Sequence, residues 1–414
     1  MKVPSEPYSC PKCGRAFPDD LPYGICACQL IEEVAETDPS QGKSVRQIGP
    51  YRIISTLGEG GFGIVYVARQ EWPFRREVAL KILKPGIDSA QVSARFQSES
   101  ETLARLDHPN IASIFDAGES PDGLPYFVME KVSGSDIRKY CELKGLSIEE
   151  RLQLFIAVCN GVHHAHQKGI IHRDIKPSNI VVQSSEGSPL PKVIDFGIAK
   201  ALGTGFGERT VALTQAHQII GTLSYMSPEQ AGGSNDIDIR ADIYSLGVVL
   251  YELLTGTPPF GRGQLRNRSY EEVLRLISEV TPPLPSARAG KRRNKGQRVP
   301  STTSQRTVER ALRGDLDSIV MRALEKDRVH RYETVQALIE DIGRHQQNEP
   351  VLASRAGRVY RVRKFVTKHK RLVSAAALVL FSLVTAFGTS AYLYSEAVAA
   401  GKRESDIKDD VEAH

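Results

Sequence analysis

Residues 171–182 read IHRDIKPSNIVV. An aspartate (Asp174), a lysine two places on (Lys176) and an asparagine three beyond that (Asn179) share one short stretch, and an apolar run follows. A carboxylate, an ammonium and an amide held this close suit a loop that feeds a strand.

The flanking sequence gives that loop its setting. Upstream, YRIISTLGEGGFGIVYVARQ from Tyr51 reads as strand, Gly-rich turn, strand, and EVALKIL is a further short apolar strand. SARFQSESETLARL has helical spacing, with Phe96, Leu103 and Leu106 apolar. PYFVMEKV is again a strand, and RLQLFIAVCNGVHHAHQKG a long amphipathic helix. The order predicts an α+β chain: a small β-rich lobe, then a mostly helical one.

Gly58, Gly60 and Gly63 stand in GxGxxG spacing. A dinucleotide-binding turn has the same glycines but leads into a helix. Here IVYVAR continues as strand, so the glycines cap a hairpin, where backbone amides can approach phosphate oxygens with no Cβ in the way. Lys81 lies on the next apolar strand and needs a partner there, either nucleotide phosphates or a carboxylate. Glu99 and Glu101 compete for the second role; they point about 200° apart on a helix and cannot both face Lys81. Asp195-Phe196-Gly197 follows sixteen residues after Asn179. Phosphoryl transfer asks a protein for alignment and charge neutralisation. Asp174 can accept a hydroxyl proton, Lys176 can steady the transferring group, and Asn179 and Asp195 offer hard oxygen ligands suited to Mg²⁺.

With GxGxxGxV at 58–65, VALK at 78–81, HRDIKPSN at 172–179, DFG at 195–197 and SPE at 227–229, the sequence resembles the protein-kinase family over about 51–345. More narrowly it is similar to bacterial serine/threonine kinases with one membrane span, and residues 314–345 resemble a planctomycete-type subgroup. The resemblance implies the bilobal protein kinase fold, ATP and Mg²⁺. It implies that Gly58, Glu59, Gly60, Gly61, Phe62 and Gly63 cover the phosphates, and that Leu57, Val65, Ala79 and Val181 sandwich the adenine. Met129 would be the gatekeeper, Glu130 to Val132 the hinge, and Asp136 near the ribose. The family's pairing glutamate falls at Glu99, ten residues before Pro109. Glu229 would pair with Arg331, and Asp242 would brace the catalytic loop. One departure is visible: SPE stands where the family has APE, one small residue for another.

Lys176 and Thr222 match kinases that act on Ser and Thr, so the expected partners are protein substrates carrying those hydroxyls. Arg173 before Asp174 suggests an activation loop ordered by phosphorylation, with Thr210 and Thr214 the candidate sites. A pseudokinase scaffold is the rival reading, but such chains usually lose Lys81, Asp174, Asn179 or Asp195, and all four are present. A zinc-ribbon adaptor and a small-molecule phosphotransferase are further alternatives. The second would not be expected to keep SPE, which in protein kinases helps seat a peptide.

The remainder of the 414 residues carries weaker signals. Cys10, Cys13, Cys26 and Cys28 could hold Zn²⁺ as a ribbon-like motif within 1–30; reduced thiols or a redox site are the other readings, since CxC is tighter than the usual CxxC. Cys141 and Cys159 read as small helix residues. No apolar leader is evident at the N-terminus, and 31–49 reads as linker. Residues from about 281 to 306 are rich in Pro, Ser and basic residues and are expected to form a disordered insertion. A net charge of +5 is too small to suggest a nucleic-acid partner.

Leu372 to Ser395 contains no charged residue. A bilayer core of ~30 Å needs about 20 apolar residues in a helix, so a transmembrane helix is expected over 372–394. Eight Lys or Arg lie between Arg355 and Arg371, against three after the segment. That bias predicts a single-pass protein of the cell inner membrane, its kinase domain cytoplasmic and 395–414 outside. The basic juxtamembrane run, 346–371, adds attraction to anionic lipid. Oligomeric state is not legible, and a homodimer is left open.

Overall fold

The structure, a computed structural model, describes residues 47–60, 63–83, 102–185, 187–196, 223–234, 236–265, 268–292, 305–354 and 357–412. The chain divides into two compact units: residues 1–144 with 157–222, and residues 145–156 with 223–414.

In the first unit, β1 (Gln47–Ile48), β2 (Tyr51–Gly60), β3 (Gly63–Gln70), β4 (Arg76–Leu83), β5 (Ile114–Glu119) and β6 (Pro125–Glu130) form one sheet in the order β1-β2-β3-β4-β6-β5. All its pairings are antiparallel. Side chains alternate along β4 because successive Cβ atoms leave opposite faces of a strand. Val78, Leu80 and Ile82 enter a cluster with Ile48, Tyr51, Tyr66, Ala68, Tyr126 and Val128. Ala79 and Lys81 are therefore on the opposite face. A second sheet joins β7 (Ser135–Asp136), β8 (Ile180–Ser185) and β9 (Ser188–Val193). Helix α1 (Ile137–Leu143) and helix α2 (Ile148–Gln167), of which residues 157–167 belong to this unit, precede β8, and Cys141 and Cys159 are buried within them as free thiols.

The second unit is helical: α3 (Pro228–Ala231), α4 (Arg240–Thr255), α5 (Arg262–Leu265), α6 (Tyr270–Glu279), α7 (Pro285–Arg292), α8 (Gln305–Leu312), α9 (Asp315–Ala323), α10 (Val335–Gln346), α11 (Arg358–Lys368) and α12 (Lys370–Glu412). Every residue of α4 from Ala241 to Thr255 is buried, as expected of a helix apolar nearly all round. At Gly247 an added Cβ would lie 2.8 Å from the Ala323 Cβ, so α4 and α9 approach as closely as they do only because that residue is glycine.

Among the buried charged residues of this unit, Arg331 and Asp341 join several elements. The Arg331 guanidinium, wholly inaccessible, donates to both oxygens of Glu229 at 2.7 and 2.8 Å, and to the carbonyls of Arg240, Glu325 and Lys326. Only so complete a set of acceptors makes a buried guanidinium tolerable. Asp341, also wholly buried, accepts from the Tyr332 hydroxyl and from the backbone N–H of Leu352 and Ala353, which ties the chain beyond α10 to the domain.

The disorder expected over about 281–306 does not hold for Pro285–Arg292, which is helical. Pro285 sits where a missing N–H costs nothing. Ser286 is buried and donates from both N and Oγ to Asp317, and Arg288 donates to the carbonyls of Pro258 and Pro259. Partners distant in sequence thus order a segment whose composition alone suggested none. The second difference is that α12 continues unbroken to Glu412, well past the apolar stretch.

Replacing Arg331 by Met leaves the Glu229 carboxylate buried and unpaired. The variant is expected to be less stable by about 3–5 kcal/mol, read as a lower denaturant midpoint for the second unit. An unchanged midpoint would contradict the role given to this pair.

Candidate functional site

The site lies in the first unit. Its geometry begins with Lys81, on the face of β4 turned away from the core cluster and paired in register with Val65 and Phe127. The Lys81 Nζ donates to Asp195 Oδ1 at 2.5 Å, and only 12% of the lysine side chain is accessible. These two residues are 114 apart in sequence. Asp195 has φ 63°, a left-handed backbone that few residues other than glycine adopt. Such outliers cluster at functional sites.

The loop read first in the sequence is a hydrogen-bonded unit. Lys176 Nζ donates to Asp174 Oδ2 at 2.8 Å. The Asn179 amide nitrogen donates to the Asp174 carbonyl at 2.9 Å and to its Oδ2 at 3.1 Å. With the nitrogen committed to two acceptors, the amide orientation is fixed, and Oδ1 is the atom turned to other donors or to a cation. Arg173, at φ 64°, is the second left-handed residue here. His172, wholly buried, accepts the Asp174 N–H at Nδ1 and donates from Nε2 to the Ile194 carbonyl, both at 3.2 Å. Its ring lies 4.6 Å from that of Phe196. The Ile194 N–H donates to the Asn179 carbonyl at 2.9 Å. The loop bearing Asp174 and the strand end bearing Asp195 are thereby joined twice.

The remaining expected positions fall around this centre. The hairpin of β2 and β3 pairs from Tyr51 with Gln70 to Gly60 with Gly63, so glycines do close a hairpin. Leu57 is 56% exposed, Glu59 is exposed and Val65 half-buried. Ala79 and Met129 are cross-strand partners and both buried; Val132 and Val181 are half-buried. The Glu130 carboxylate accepts from Lys192 at 2.8 Å, and its N–H donates to the Ser113 carbonyl. Asp136 pairs with Val181 in the short sheet, and its carboxylate caps α1 by accepting the Lys139 N–H. In this structure Asp136 therefore has a local structural task. Glu99, Gly61, Phe62, the four N-terminal cysteines, Thr210, Thr214 and Thr222 lie outside the described residues.

Sequence reasoning missed two contributors. His172 stood within the motif but received no task; its histidine-to-backbone clamp depends on a residue 22 places away. Lys192 gave no local signal, because its partner Glu130 is 62 residues distant.

The residues present fit a nucleotide with Mg²⁺. Asn179 Oδ1 and the Asp195 carboxylate are hard oxygen donors, the kind that ion takes. At Gly58 nothing lies within 4 Å of where a Cβ would stand, which leaves the backbone open to a ligand. Among the described residues no group of three His, Cys, Asp or Glu could hold another metal ion.

Residues 51–341 match the family model described as the protein kinase domain. A serine/threonine-protein kinase, PknB, of Mycobacterium tuberculosis is 36% identical over 305 residues, covering 72% of this chain and 43% of that protein. A probable serine/threonine-protein kinase, PknB, of Bifidobacterium longum is 37% identical over 304 residues, covering 71% and 39% respectively. The chain thus spans less than half the length of these relatives. The crystal structure of the Mycobacterium tuberculosis PknI kinase domain matches with a TM-score of 0.52 and 27% identity, over 73% of this chain and 99% of that one.

The two outer glycines of the hairpin can be told apart. A Cβ on Gly63 would lie 2.2 Å from the Ile82 carbonyl oxygen on β4. Gly63→Ala is expected to lower the melting temperature, whereas Gly58→Ala, entering open space, is not. Equal melting of the two variants would contradict this placement.

Proposed function

Because the chain belongs to the protein kinase family, we propose that it is a membrane-anchored serine/threonine protein kinase, transferring the ATP γ-phosphoryl group to Ser and Thr hydroxyls of proteins. The observation that carries the reading is the single hydrogen-bonded cluster of Asp174, Lys176 and Asn179, joined through Ile194 to the Lys81–Asp195 pair.

Each side chain has a task in that reaction. Asp174 accepts the proton of the attacking hydroxyl as its oxygen bonds to phosphorus. Lys176, already on Asp174 Oδ2, supplies positive charge beside the transferring group. Lys81 would hold the phosphates of the nucleotide, and Asn179 and Asp195 would hold Mg²⁺, which when bound would supply neutralisation of the charge on the phosphate oxygens. Leu57, Val65, Ala79 and Val181 take the adenine, beside Met129 and the backbone of Glu130 to Val132.

Autophosphorylation at Thr210 or Thr214 is the regulation that Arg173 suggests. Ser227 is not a candidate: it is wholly buried and caps α3 in a capping box with Gln230. Membrane anchoring is supported by Leu372–Ala399, 28 residues long enough and apolar enough to cross a bilayer and not buried against the rest of the chain. The excess of Lys and Arg before it supports a cytoplasmic kinase domain. Nothing observed favours the scaffold reading, since Lys81, Asp174, Asn179 and Asp195 are all retained.

The test is transfer of label from γ-labelled ATP with Mg²⁺ to a generic basic protein, followed by phosphoamino-acid analysis. The wild type is expected to yield phosphoserine and phosphothreonine, and Asp174→Asn to be slower by about 10²–10⁴-fold. Equal transfer by both would remove Asp174 from the mechanism.

A further inference from the structure

The basic run between the kinase domain and the apolar segment is an ordered helix with two unlike faces. On one face, Tyr360 donates its hydroxyl to Asp315 Oδ1 at 2.7 Å, and Lys364, one turn on, pairs with Asp315 Oδ2. Asp315 Oδ2 is also 3.1 Å from His345 Nδ1. One turn further, Lys368 pairs with Glu349 at 2.6 Å. Tyr360 in addition accepts the Val351 N–H, so this face is fastened along its length. Burial pushes the Asp315 carboxyl up, but hydrogen bonds from His345, Lys364 and Tyr360 outweigh it and hold it at about 2.

The other face carries an exposed, largely apolar stripe, with Arg358 at its N-terminal end by helical position. Val359, Val362, Phe365 and Val366 recur at spacings of three and four, which places them on one stripe. They are 83%, 61%, 61% and 41% exposed. Four large apolar side chains on an 11-residue helix are not a soluble surface's ordinary pattern. Two observations say what covers them. α12 begins at Lys370, two residues after α11 ends, so the chain itself delivers this helix to the start of the apolar segment. From Pro350 to Ser395 there is no Asp or Glu, while Arg and Lys are frequent, a charge complementary to anionic headgroups.

We propose that α11 is a two-faced interfacial helix. Tyr360, Lys364 and Lys368 fasten it to the second unit, and Val359, Val362, Phe365 and Val366 lie in the headgroup region of an anionic bilayer. The proposal rests on reading Leu372–Ala399 as a membrane span. Its consequence is that the second unit does not swing on a tether but is held against the bilayer by a chosen face. Helices of this kind bury their apolar side about 5–10 Å into the boundary between headgroups and acyl chains.

The test uses the full chain in phosphatidylcholine–phosphatidylglycerol vesicles, with the single tryptophan, Trp72, first replaced by Phe. Phe365→Trp places a probe on the apolar stripe. Thr367→Trp places one two residues nearer the span but about 160° away around the helix. Lipid brominated near the headgroup is expected to quench the probe at 365 and blue-shift its emission, and to quench that at 367 less. A simple tether would quench 367 at least as strongly, and that result overturns the proposal. A blue shift at 365 without quenching would mean that protein, such as a second copy of the chain, covers the face, and would overturn it too. Extraction with alkaline carbonate reads the span separately: a chain released by carbonate defeats the span, while the quenching comparison on the same vesicles still decides the helix.

Discussion

A lysine on a core strand is tolerable only if an opposite charge is brought to it, and Lys81 is met by Asp195 from 114 residues away. That requirement organises the first unit. The strand β4 spends one face on the apolar cluster and keeps the other for Ala79 and Lys81. Asp195 reaches Lys81 from a left-handed backbone position at the end of β9, and the loop bearing Asp174 is tied to that same end through His172, Asn179 and Ile194. Lys81, Asp174, Asn179 and Asp195 therefore occupy fixed positions before any substrate arrives. In the proposed reaction, which asks mainly for alignment and neutralised charge, such preorganisation would supply much of the catalysis.

The second unit meets the same physical demand with different groups. Arg331 and Asp341 are wholly buried, and each is satisfied by several partners drawn from separate elements. Asp315 does likewise for the helix beyond the kinase match, with Tyr360, Lys364 and His345 around one carboxylate. Buried ions of this kind contribute less through net attraction than through the penalty for any arrangement that leaves them unpaired.

Much of this was legible in the sequence. The hairpin at 58–63 could be told from a dinucleotide-binding turn because strand residues follow the glycines, and the Glu229–Arg331 pair followed from the resemblance. What escaped depends on contacts between residues far apart. The helix Pro285–Arg292 is set by Ser286 meeting Asp317 and Arg288 meeting two proline carbonyls, which no local window contains. Lys192 and Glu130 are alike in this. The cap at Asp136 did have a local signal, an aspartate directly before a helical run. The basic run 346–371 shows only charge in the sequence; its order comes largely from Asp315 and Asp341, neither of which lies within it.

The proposed chemistry requires Lys81 and Asp195 to act as one site on a metal-bound nucleotide. The most direct measurement is a double-mutant cycle on ATP affinity, titrated with and without Mg²⁺, using Lys81→Met, Asp195→Asn and the pair. Mg²⁺-dependent binding is expected in the wild type, with a coupling between the two substitutions of about 0.5–3 kcal/mol. Binding indifferent to Mg²⁺, with the two substitutions simply additive, would contradict it.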